Sequence, residues 1–116
     1  MVDWDCIDTV LLDMDGTLLD LHFDNYFWTE HLPRLYADRH QISEEESNQR
    51  LHGAFGAAQG TRQWYCLDHW SQRLEMDIPA LKRELQPMIS IRPFAIEFLT
   101  RLHPSSRDVV MATNAH

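Results

Sequence analysis

Two aspartates, Asp13 and Asp15, stand two residues apart at the end of the apolar run Val10-Leu11-Leu12 and lead into Gly16-Thr17-Leu18-Leu19-Asp20. A carboxylate held in a tight turn can attack phosphorus and carry the phosphoryl group as an acyl phosphate. A second carboxylate beside it can protonate the leaving oxygen and then activate water. Two carboxylates repel a phosphate dianion, so this chemistry needs a divalent cation, and an all-oxygen ligand set favours Mg²⁺. Gly16 would let the backbone turn sharply and bring amides near the phosphoryl oxygens. An EF-hand calcium loop also begins with alternating acids and contains a glycine. Setting Gly16 at that loop's sixth position puts Leu11 first and His22 twelfth, where an acid and a glutamate are needed. A solvated acidic turn is the remaining alternative, and it leaves the apolar run unexplained.

A second segment complements the first. Arg107-Asp108 leads into the apolar run Val109-Val110-Met111-Ala112, which ends in Thr113-Asn114. Taken alone, a threonine and an asparagine at a strand end signal only a turn. Beside the first segment they suggest a hydroxyl and neighbouring amides that hold a phosphoryl group while Asp13 attacks it.

With both segments in this order, the chain resembles the haloacid dehalogenase-like (HAD) hydrolase superfamily, whose first motif is an apolar strand running into Asp-x-Asp-Gly-Thr and whose second is an apolar strand ending in Thr or Ser. The resemblance implies that Asp13 is the nucleophile, Asp15 the general acid/base, and Thr113 a phosphoryl ligand with Asn114 beside it. It also implies that Mg²⁺ is held by the Asp13 carboxylate and the Asp15 main-chain carbonyl. An acid two residues after the nucleophile marks the phosphatase and phosphomutase branches. Leu11 to Trp28, Trp64 to Asp68 and Thr113 to His116 look like the corresponding segments of bacterial GMP/IMP nucleotidases. The substrate so implied is a purine nucleoside 5′-monophosphate, with a sugar phosphomutase as the alternative. The family also needs a later lysine and a later pair of acids, and neither follows Thr113 in this sequence; the single lysine, Lys82, precedes it and reads as a solvated helix-face charge. The expectation is therefore the N-terminal half of a phosphatase, inactive by itself, or else a non-catalytic fragment.

The elements that must position these residues are few. Val10 to Leu12 is too uniformly apolar for a strand with one wet face, so it reads as a buried strand with its acids at the C-terminal end, where open α/β sheets bind ligands. The fold class expected is α/β: a partial HAD-like Rossmannoid core with two parallel strands, from residues 1–22 and 90–116, and an α-helical cap, 23–89, inserted after the first motif. Within the insert, Ser43 and Glu46 form a capping box, and Pro79 suits the first turn of a helix over Ala80 to Leu85. Pro33 should break or kink the first helix and Gly53, Gly56 and Gly60 loosen the second. Trp64, Leu67, Trp70 and Leu74 recur at helical spacing. A cap that closes would keep water from the acyl phosphate. Tyr26, Trp28, Trp64 and Tyr65 could stack on a purine, against the competing job of packing the cap. Arg92-Pro93 opens a helix over Phe94 to Leu102. With only two strands, the isolated chain should be marginally folded or self-associating.

Composition narrows the partners. Ten Lys and Arg against eighteen Asp and Glu leave a net charge of −8, which disfavours nucleic acid and anionic membranes. No run of about eighteen apolar residues is present, and Met1-Val2-Asp3-Trp4-Asp5 lacks a basic leader, so the location expected is cytoplasmic. Cys6 and Cys66 have no metal-type spacing. Cys66 and His69 lie one helical turn apart, without the second pair of ligands a zinc site needs.

Overall fold

The structure is a computed structural model and describes residues 1–115; His116 lies outside the described residues. The chain divides into two compact units, one formed by Met1–Leu21 with Ile89–Ala115 and the other by His22–Met88.

The first unit is built on two strands, β1 (Thr9–Leu12) and β2 (Asp108–Met111), paired in parallel with Thr9 opposite Asp108 and Leu12 opposite Met111. The β-branched Thr9, Val10, Val109 and Val110 suit this extended backbone. The ladder runs past both ends, since Asp108 N–H donates to the Asp8 carbonyl and Ala112 N–H to the Leu12 carbonyl. The expected burial is only half met: Leu12 is buried, but Leu11 is 68% exposed and every residue of β2 is exposed. Successive side chains of a strand point to opposite faces. A two-stranded sheet whose Leu12 side is covered therefore leaves Leu11 facing outward.

Ahead of β1, a 3₁₀ turn at Trp4–Cys6 is capped by Asp3, whose carboxylate accepts from Asp5 N–H. Arg107 holds this turn from the start of β2, with its guanidinium donating to the Trp4 carbonyl and lying over the indole. A helix at Ala95–Leu102 buries Ala95 and Leu102 and leaves Ile96 exposed.

The second unit is all helical: α1 (His22–Tyr26), a π-helical turn at Phe27–His31, α2 (Leu32–His40), α3 (Glu44–Ala58), α4 (Leu67–Leu74) and α5 (Ile78–Glu84). The Ala95–Leu102 helix of the first unit is then α6. Phe27, Leu32, Leu51, Ala58, Trp70, Leu74 and Ile78 form the core of the helical unit. Pro33, expected to break or kink the first helix, does not interrupt the helical path. It sits in the first turn of α2, and the chain widens into the π turn just before it, where Leu32 N–H donates to the Phe27 carbonyl. A proline ring clashes with the carbonyl four residues back, and a wider turn moves that carbonyl away.

Ser43 caps α3 by accepting from Glu46 N–H, and Asp77 caps α5 by accepting from Ala80 N–H. α3 runs unbroken through Gly53 and Gly56. Ser47, fully buried, donates to the Pro33 carbonyl and so ties α3 to α2. Trp64 departs from the helical stripe, because residues Arg62–Tyr65 form a 3₁₀ turn and its ring is 38% exposed. Its carbonyl instead accepts from the indole of buried Trp70.

Candidate active site

Parallel pairing with Leu12 opposite Met111 puts the C-terminal ends of both strands at one edge. Asp13 is the first residue after β1, and Thr113 is the second after β2. Both are exposed, as are Asp15 and Asn114. One Asp13 carboxylate oxygen accepts from Met14 N–H at 2.8 Å, which fixes the group's orientation and leaves Oδ2 outside that contact. The Thr113 hydroxyl oxygen accepts from Ala115 N–H at 3.0 Å, so its proton is available to donate elsewhere.

The loop between β1 and the helical unit closes tightly on itself. The Met14 carbonyl accepts from the amides of Thr17, Leu18 and Leu19, and Gly16 N–H donates to the Leu19 carbonyl at 2.8 Å. The bridge between Asp15 and Leu19 is thus closed by Met14 and Gly16, the neighbours of Asp15. Gly16 has φ +78°, the left-handed region in which side chains other than glycine are strained.

The outer side of this loop is fastened to residues 90–92. Asp20 N–H donates to the Ser90 carbonyl at 2.8 Å, and Arg92 N–H donates to the Leu18 carbonyl at 2.9 Å. Leu19 faces Ile91 across an antiparallel bridge. The Arg92 guanidinium donates to the Gly16 carbonyl at 2.9 Å. In the sequence, Arg92 reads only as a helix opener. Nothing local to Arg-Pro points to a partner 76 residues earlier.

Other candidates take structural places. Lys82 is not the solvated charge expected: its ammonium lies 2.8 Å from Asp24 and within 5.6 Å of the ring centres of Phe23, Phe27 and Trp28. Trp28, half-buried, packs edge-on against Phe55 and Trp70 and donates to Asp24, which gives it a packing role against the helical core. Tyr26 stacks on His31, while Trp64 and Tyr65 stay exposed. The Cys66 sulfur accepts from His69 N–H as the cap of α4, and Cys6 and Cys66 are both free thiols.

Among the described residues, no group of three or more His, Cys, Asp or Glu converges as a metal cluster. A site limited to the Asp13 carboxylate and a main-chain carbonyl suits Mg²⁺, which binds through one or two carboxylates and fills its shell with water and phosphate oxygens. No helix among the described residues is long and apolar enough to cross a membrane.

This arrangement of strands and helices has the fold of a HAD phosphatase in partial form. The structure superimposes on that of a HAD phosphatase from Thermococcus onnurineus with a TM-score of 0.79, over 95% of this chain and 52% of that one, at 17% identity. In sequence the chain is 42% identical over 115 residues to the GMP/IMP nucleotidase YrfG of Escherichia coli (strain K12), and equally to that of Shigella flexneri. The match takes in 99% of this chain and 52% of each nucleotidase, so the chain spans about half the length of these relatives. No protein-family model matches the sequence.

Proposed function

We propose that this chain carries the nucleophile and the acid/base of an Mg²⁺-dependent phosphatase acting on purine nucleoside 5′-monophosphates, GMP and IMP. The observation that carries the reading is the strand register: Leu12 opposite Met111 brings the segments of Asp13 and Thr113 to the same end of a parallel pair. The name of the 42% identical relatives supports the substrate class. The helical unit, 22–88, then serves as the cap domain.

In this reaction the Asp13 Oδ2 attacks phosphorus as the bond from phosphorus to the nucleoside 5′-oxygen breaks. Asp15 gives its proton to that oxygen, then takes one from the water that attacks the aspartyl phosphate. Inorganic phosphate leaves and Asp13 is regenerated. The Thr113 hydroxyl donates to a phosphoryl oxygen, with Asn114 beside it, where charge develops in the transition state. Mg²⁺ would be held by the Asp13 carboxylate and the Asp15 main-chain carbonyl; when bound, it offsets the repulsion between the carboxylates and the phosphate dianion.

The test is phosphate release from GMP and IMP with Mg²⁺, assayed on the product of the coding sequence read through and beyond the His116 codon. The expected result is release that Asp13→Asn abolishes. Turnover retained by Asp13→Asn overturns the assignment of the nucleophile. Interconversion of phosphosugars without release would make the enzyme a phosphomutase and overturn the substrate class.

A further inference from the structure

We propose that Arg92 is a positioning residue for the Asp13–Asp20 loop, its guanidinium holding the Gly16 carbonyl so that the Gly16–Thr17 peptide, the second after Asp15, keeps one orientation. The proposal rests on the reading of Asp13 and Asp15 as the reacting carboxylates, and it assigns Arg92 no part in binding phosphate or leaving group.

The loop has two sets of restraints. Its inner set is its own backbone: the Met14 carbonyl gathers three amides, and Gly16 N–H meets the Leu19 carbonyl. These contacts close the loop but do not anchor it. Its outer set comes from residues 90–92, which run antiparallel to Leu18–Asp20 through Asp20 N–H to Ser90 and Arg92 N–H to Leu18. Those bonds hold the returning limb. The outgoing limb, which carries Asp15 and Gly16, receives the Arg92 guanidinium at the Gly16 carbonyl. One residue therefore grips both limbs, Leu18 through its backbone and Gly16 through its side chain.

That grip falls where the backbone needs it. Gly16, at φ +78°, has no Cβ and is the least restrained residue type in its own conformation. A hydrogen bond from an ionised donor is stronger than one between neutral groups, and here it fixes the carbonyl of the flexible residue directly after Asp15. Misplacing a reacting group by about 1 Å can cost about 100-fold in rate. A loop that carries the acid/base thus gains from a restraint that its glycine cannot supply.

The experiment separates the side-chain bond from the backbone pairing, which any residue except proline at position 92 retains. Arg92→Met removes the donor and keeps the aliphatic stem; Arg92→Lys keeps a charged donor that can reach a single carbonyl. In the 116-residue chain, amide hydrogen exchange at Gly16 and Leu19 should speed up at least about tenfold in Arg92→Met and recover in part in Arg92→Lys. In the phosphatase assay, kcat should fall about 10- to 100-fold in Arg92→Met with KM changed by less than about threefold, because the carboxylate is displaced and substrate binding is not. Unchanged exchange at Gly16 and Leu19 overturns the proposal. So does a kcat within about twofold of the unsubstituted protein when Asp13→Asn abolishes turnover. Full turnover in Asp13→Asn overturns the phosphatase reading instead, and the exchange rates then decide the role of Arg92 by themselves.

Discussion

A methyl group added at Gly16 would sit 3.2 Å from both Cγ and Cδ1 of Leu21, on a residue whose φ is +78°. Gly16→Ala thus combines a close contact with the left-handed backbone penalty of about 1–2 kcal/mol, and its Tm should fall. Gly53→Ala is the matched control. Its added Cβ meets nothing within 4 Å inside α3, and alanine in a helix is worth about 1 kcal/mol over glycine, so its Tm should rise. Equal behaviour of the two variants would mean that the turn at Gly16 tolerates side chains. Replacing Asp13 by asparagine should leave stability nearly unchanged, because the residue is exposed and asparagine keeps an oxygen that can accept from Met14 N–H. Asp15→Asn should slow phosphate release by about 10²- to 10⁴-fold, the usual contribution of a general acid/base, whereas Asp13→Asn removes the nucleophile. If Asp15→Asn turned over at an unaltered rate, proton transfer would have to be assigned to another group.

Among the elements, those announced by contiguous residues could be read ahead of the structure. Ser43 with Glu46 is a complete signal within a few positions, and α3 starts where that pair places it; Pro79 likewise falls in the first turn of α5, which begins at Ile78, two residues ahead of the expected Ala80. The two apolar runs ending in Asp13 and Thr113 likewise fall at β1 and β2. What resisted was set by distant partners. Pro33 announces a helix break or kink, and the helix meets it with a π turn whose residues carry no local mark. Lys82 reads as solvated because its aromatic neighbours and Asp24 lie 54–59 positions away in the chain. Arg92 shows the same limit at the site. The start of α6 has its own peculiarity. Ala95 N–H donates to the Arg92 carbonyl across Pro93-Phe94, with Phe94 at φ 67° and ψ −2°. Proline followed by a positive-φ residue is the pattern of a type II turn, which favours glycine at that second position. Phe94 is 78% exposed, so Phe94→Gly gives up little burial and relieves the strain. It should stabilise the protein by about 0.5–1 kcal/mol, read as a higher denaturant midpoint with an unchanged slope. A lower midpoint would mean that the phenyl ring contributes packing that outweighs the backbone strain.

Over the whole chain, burial is unevenly shared between the two units. Seven buried apolar side chains cluster in the helical unit, led by Trp70 and Phe27. The strand-containing unit keeps Leu12, Ala95 and Leu102 inside while Leu11, Ile96, Val109, Val110 and Met111 are each more than 40% exposed. Stability within one chain follows local burial, and regions with few buried apolar contacts open first. Truncating Phe27 to alanine should cost about 3–5 kcal/mol, the usual loss for a buried aromatic, and melt α1 to α5. A net charge of −8 opposes self-association, but a parallel pair with an apolar outer face and open edges favours it. Apolar area contributes about 25 cal/mol per Å² when covered, and the charges are screened beyond about 8 Å at physiological ionic strength. Burial should therefore prevail as salt is added. The 116-residue chain is expected to bind a hydrophobic dye in its folded state and to exchange its β2 amides before those of α3 and α4. It should also sediment with a mass that rises with protein concentration and with salt. A monomer at every concentration, with one sharp melting transition and β2 amides protected as long as those of α3, would mean that the exposed apolar side of the sheet is covered in solution in a way this arrangement of strands does not provide.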